Sequence, residues 1–205
     1  MFLLVNPNEA RTITFENEMR KALTVLEQSQ SQDDLEQSAQ NFIQLQKTHE
    51  DEWLPSYYAV TSYLRLSMEY GKTIEEKDAF IKQAEAHMNY LTKHFSTESE
   101  VWVLKSWYYA SYLMADPMAR GMKYGAMSTE ATQKALLLAP NNPRAQYLNF
   151  QNILGRAPYT YEDTSSLCSD ISESLAKFDD YPLKSDIYPS WGKEELTELK
   201  ANCKN

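Results

Sequence analysis

The sequence predicts an all-α protein made of stacked antiparallel helix pairs. Three observations predict it. Apolar residues recur at three- and four-residue steps through most of the chain, the spacing of one helix face. Gly is scarce at 5 of 205 residues while Ala, Leu, Gln, Glu and Lys abound, a composition that suits helices. The stretch Ala135 to Ala145 then reads as a junction between two such pairs. Its apolar residues Leu136, Leu137 and Leu138 end a helix, Pro140 blocks continuation, Asn141 and Asn142 make the turn, and Pro143 opens the next helix.

A first helix is predicted over 14–29, with Phe15, Met19, Ala22, Leu23 and Leu26 on one face. Ser31 and Asp34 form a capping pattern for a second helix running to about His49. Trp53 and Pro55 open a third, ended near Gly71. Its return partner spans about Glu75 to Phe95. Glu100 to Leu113 make a fifth, and Asp116-Pro117 caps a sixth reaching Ala139. Gly121 and Gly125 in that helix cost up to about 1 kcal/mol each against alanine, so a close backbone approach is expected there. Pro143 to Leu154 make a seventh helix ended by Gly155, Ser165 to Phe178 an eighth, and Ser190 opens a final capping helix. The expected organisation is a single repeat domain over 14–205, with pairs at about 14–49, 53–95, 100–139 and 143–178 and a cap at 190–203. Residues 1–13 are read either as a disordered start or as the remnant of an export signal.

The net charge of −9 argues against nucleic acid, which needs a basic stripe. No run approaches the ~20 apolar residues of a membrane span. Cys168 and Cys203 are too far apart for a CxxC metal or redox motif. Each is read either as a small buried residue or as half of a disulfide, and a disulfide would require an oxidising compartment. Localisation stays open with it: periplasmic if Met1–Ala10 is a signal remnant, otherwise cytoplasmic.

Small residues at the expected mid-helix positions, Ala22, Ala59 and Ser106, together with Phe150, are separated by 37, 47 and 44 residues. Trp102, Ala135 and Pro140 match the opening aromatic, late small residue and closing proline of a tetratricopeptide repeat. The period of that repeat is about 34 residues. The chain therefore resembles a tetratricopeptide array of four degenerate pairs. Residues 53–63, 116–125 and 189–193 further resemble a group of tetratricopeptide proteins from Bacteroidetes-type bacteria. That resemblance implies an exported binding protein with no defined activity.

No catalytic constellation is visible. Gly71-Lys72-Thr73 lacks the upstream glycine of a phosphate loop, since Leu66 stands there. His87 and His94 are seven apart, where helical zinc sites favour four. No nucleophile-elbow motif occurs. Neither enzyme activity nor a cofactor or metal is expected.

The first helix of each pair should line a concave surface. Counting along the helices places Ser56 and Tyr63, then Trp107, then Arg144, Tyr147 and Gln151 on it, an aromatic groove ending in a guanidinium. Tyr, Trp and Arg dominate interface hot spots, so a protein or peptide partner is expected there. Arg120 and Tyr124, four apart on one face, are a second candidate contact. The alternative is a structural assembly subunit, a homodimer or a fixed part of a larger complex, with no groove ligand. An enzyme or small-ligand carrier is a third class.

Overall fold

The computed structural model describes residues 7–69, 71–182 and 184–201, with side chains from residue 11 onward except at 179. These residues form the helices α1 (Pro7–Gln28), α2 (Gln32–Thr48), α3 (Leu54–Met68), α4 (Ile74–His94), α5 (Ser99–Ala115), α6 (Pro117–Leu138), α7 (Pro143–Thr160), α8 (Leu167–Asp180) and α9 (Lys193–Ala201), and no strand.

Helix starts follow the local chemistry. Ser31 and Asp34 make a reciprocal capping box at α2, and Thr73 with Glu76 repeats it at α4, satisfying amides that no helical carbonyl reaches. Asp116 accepts the Ala119 amide at α6. At the 139–143 junction Asn142 accepts the amides of Arg144 and Ala145, while its own amide group donates to Glu100 and Ser99. The turn is thus bolted to α5, the preceding first helix.

Several boundaries differ from expectation. Residues 7–13, read as disordered or as a signal remnant, belong to α1, whereas residues 1–6 lie outside the described residues. Arg11 pairs with Asp51 at 2.7 Å and Phe15 packs on the His49 ring, which fastens these first turns to the end of α2. α7 does not stop at Gly155 but runs through Pro158 to Thr160, ending where Tyr161 turns left-handed at φ 54°. One glycine costs less than the turns it interrupts, and a double ion pair from Arg156 to Glu162 clamps the last turn. Among the described residues, the close backbone approach expected at Gly121 and Gly125 is absent. A Cβ at Gly121 would meet nothing within 4 Å, and one at Gly125 only the Leu113 side chain at 3.4 Å.

The main core joins α1 to α5 around Met19, Phe42, Tyr57, Leu64, Ile81 and Leu104. Smaller clusters continue it through α7 to α9. Where α5, α6 and α7 meet, Ser106 bonds Ser128 and Thr132, and Asn152 bonds both of these. The buried hydroxyls satisfy one another, as burial demands.

Candidate functional site

The concave surface, expected to be an open groove, is filled by the chain itself. Between α8 and α9 the non-helical segment 184–192 lies across the first helices of the pairs. Asp186 takes a double hydrogen bond from Arg20 of α1 at 2.7 and 3.0 Å. The Ile187 carbonyl accepts the Tyr58 hydroxyl of α3 at 2.9 Å. Tyr188 packs edge-on against Trp53. The Trp191 indole N–H donates to the Tyr57 hydroxyl at 2.8 Å, and its ring contacts Trp107 of α5 and Tyr147 of α7. Burial pushes the Tyr57 and Tyr58 phenols well above their ordinary value, so both remain neutral partners over the physiological range.

Against this arrangement the groove residues sort as follows. Trp107 and Tyr147 are half-buried against the Trp191 ring, and exposed Gln151 donates to the Tyr147 hydroxyl. Arg144 is not a free guanidinium. It is 3% exposed and held by Glu100 at 2.7 to 3.0 Å. Burial is the largest influence and would lower its pKa, but the hydrogen bonds to Glu100 and the attraction of its carboxylate together hold it raised. Ser56 and Tyr63 are corrected outright. Ser56 is fully buried with its hydroxyl unpartnered, and Tyr63 is buried at the α2–α3 interface, bonded to Gln40 beside a polar cleft of about 250 Å³. The side chains of α3 and its N-cap that meet segment 184–192 are Trp53, Tyr57 and Tyr58. From Ser56 to Tyr57 the helix turns by about 100°, so the face that meets the segment is rotated away from the expected one.

The second candidate fares differently. Arg120 is bound by Asp78 of α4 through both its terminal nitrogens, an anchor for the start of α6. Half-buried Tyr124 stacks on Tyr112 with ring centroids 4.8 Å apart. Around them lies the surface that sequence reasoning missed. Met118 is 96% and Met122 94% exposed, four apart on α6, with Met114 also exposed at the end of α5. Because successive helices alternate in direction, the turns within pairs share one edge of the array. Met68 and Ile74, at the α3–α4 turn, and Tyr159 and Tyr161, at the end of α7, are exposed as well. Lys123 sits 4.9 Å from the Tyr124 ring centroid. The signal available in the sequence was the i, i+4 methionine pair in a helix whose first three turns bury nothing.

Cys168 is disulfide-bonded; Cys203 lies outside the described residues. No helix among the described residues is long and apolar enough to cross a membrane.

No family model matches the chain, and no curated protein does. Among solved structures, the HusA haemophore from Porphyromonas gingivalis superposes with a TM-score of 0.80 at 20% identity, covering 93% of this chain and 92% of that one. A thermophilic TPR protein from Thermus thermophilus superposes with a TM-score of 0.54 at 12% identity, over 91% of this chain and 97% of its own. The fold is tetratricopeptide-like. At these identities the likeness concerns the fold alone.

Proposed function

We propose that this is a non-enzymatic binding protein that offers its methionine- and tyrosine-rich edge to a flat, amphiphilic ligand of the haem type. The observation that carries the reading is the exposure of Met118 and Met122 beside the stacked Tyr112–Tyr124 pair, with the Lys123 ammonium at hand. Large apolar side chains left fully in water over such a surface mark a contact site. Thioether sulfur is a haem-iron ligand, aromatic faces stack on a porphyrin plane, and an ammonium suits its carboxylates. The solved neighbour of nearly equal length is a haemophore from Porphyromonas gingivalis, which supports the ligand class. The disulfide at Cys168 fits an oxidising compartment. Titration of hemin into the protein, followed in the Soret band, tests the reading. Saturable binding weakened at least tenfold by Met118→Ala with Met122→Ala is expected, and a featureless titration contradicts it.

The second reading is a protein- or peptide-binding scaffold using the concave face around Trp107 and Tyr147. The observation that favours it is that a peptide segment, the chain's own, already lies there.

A further inference from the structure

Segment 184–192 is seated in a particular way. Its contacts with the array, among the described residues, go to α1 through Arg20, to α3 and its N-cap through Trp53, Tyr57 and Tyr58, to α5 through Trp107, to α7 through Arg144 and Tyr147, and at Gly192 also to Phe178 of α8. Apart from α8, these are the first helices of the four pairs, the elements that line the concave face of a helical-repeat superhelix. The segment is read at discrete positions. A guanidinium takes the Asp186 carboxylate, a buried pocket takes Ile187 at 2% exposure, an indole edge meets Tyr188, and three aromatic rings receive Trp191. Its hold is also uneven. The backbone bond it receives from the array is the one to the Ile187 carbonyl. The flanking ion pairs Arg20–Asp186 and Lys184–Glu98 are solvent-exposed and weak in water.

We propose that the concave face is a recognition groove for a non-helical protein segment, and that residues 184–192 are its resident, displaceable occupant. This rests on the second reading above and is independent of the haem-type ligand. The partner it fits is a segment of another protein with the same chemistry: a carboxylate followed at once by a branched aliphatic and an aromatic residue, then an indole three positions on. The resident segment acts as a tethered competitor. A short tether gives it a local concentration in the millimolar range, so a free segment of equal intrinsic affinity is masked in the native protein.

The test uses the full chain and a fluorescent synthetic peptide copying Lys184 to Gly192 as probe. In a variant with Ile187→Ser and Trp191→Ala the resident segment loses its anchors, and the peptide is expected to bind at least tenfold more tightly than to the native protein. Adding Arg20→Ala to that variant should weaken the peptide again. Absence of peptide binding in a variant that keeps its helical circular dichroism overturns the proposal, as does equal binding to variant and native chain. If the double variant loses its helicity, Asp186→Lys serves instead, since it disturbs an exposed ion pair alone. Faster amide exchange in the segment together with measurable peptide binding is then expected, and no change in either overturns the proposal. A failed hemin titration leaves these outcomes untouched, so the two ideas fail separately.

Discussion

Replacing Glu100 with alanine should be among the most damaging single changes in the molecule. Its carboxylate accepts three hydrogen bonds from Arg144 and one from Asn142, all between 2.7 and 3.0 Å. Arg144 and Glu100 are almost wholly shielded, with side chains 3% and 9% exposed. Removing the carboxylate leaves a guanidinium buried without its counter-charge. The ring of Tyr181, 5.6 Å away, is a weak substitute. Breaking one side of such a pair costs about 3–5 kcal/mol. With a urea slope of about 2 kcal/mol/M, the unfolding midpoint falls by about 1.5–2.5 M. The double replacement Glu100→Leu with Arg144→Met removes both charges. It leaves Asn142 its bond to Ser99, so it should lie within about 2 kcal/mol of the native protein. Urea unfolding of Glu100→Leu, Arg144→Met and the double, followed by circular dichroism beside Glu100→Ala, completes the cycle. The reasoning is refuted if Glu100→Ala shifts the midpoint by less than about 0.5 M, or if the double variant is as unstable as the single.

Three further outcomes follow from the packing. Gly192 has φ +105°, and a Cβ there would lie 3.2 Å from both Arg144 Cγ and Phe178 Cζ, so Gly192→Ala should cost about 1–3 kcal/mol in thermal or urea unfolding. Gly121→Ala faces open space in a helix interior and should stabilise the protein by up to about 1 kcal/mol by the same assay. Burial raises the phenols of Tyr57, Tyr58 and Tyr108 above their ordinary value of 10.0. The folded state therefore keeps protons that the unfolded chain has released, and stability is undiminished below about pH 10 and falls as pH rises beyond it. Phenolate absorbance and loss of helical signal should then rise together in an alkaline titration; phenols that ionise near their ordinary value while the helices persist contradict the burial.

Much of this fold is written in local chemistry, and what escapes the sequence escapes for physical reasons. Ser31 with Asp34, Asp116-Pro117 and Asn142-Pro143 each announce a helix start through groups that must satisfy free amides, and the structure has those caps. The groove phase failed at α3, where every residue except Arg65 and Met68 is buried. A helix buried all round has no stripe to fix its rotation, so Ser56 and Tyr63 stood in for Tyr57 and Tyr58. Segment 184–192 carries no periodicity, and its place on α1, α3, α5 and α7 depends on contacts up to 166 residues apart in sequence. The exposed methionines were legible only as an i, i+4 pair. The spacing does not say whether that face of α6 is covered, and only the three-dimensional arrangement leaves Met118 and Met122 exposed.

Methyl NMR of the eight methionines during addition of zinc protoporphyrin tests the central functional claim most directly, because it reports the ligand and its location in one measurement. The account predicts that the methyl signals of Met114, Met118 and Met122 move saturably while those of the fully buried Met19 and Met88 stay in place. Signals that all remain still, or shifts that spare Met118 and Met122, would contradict it.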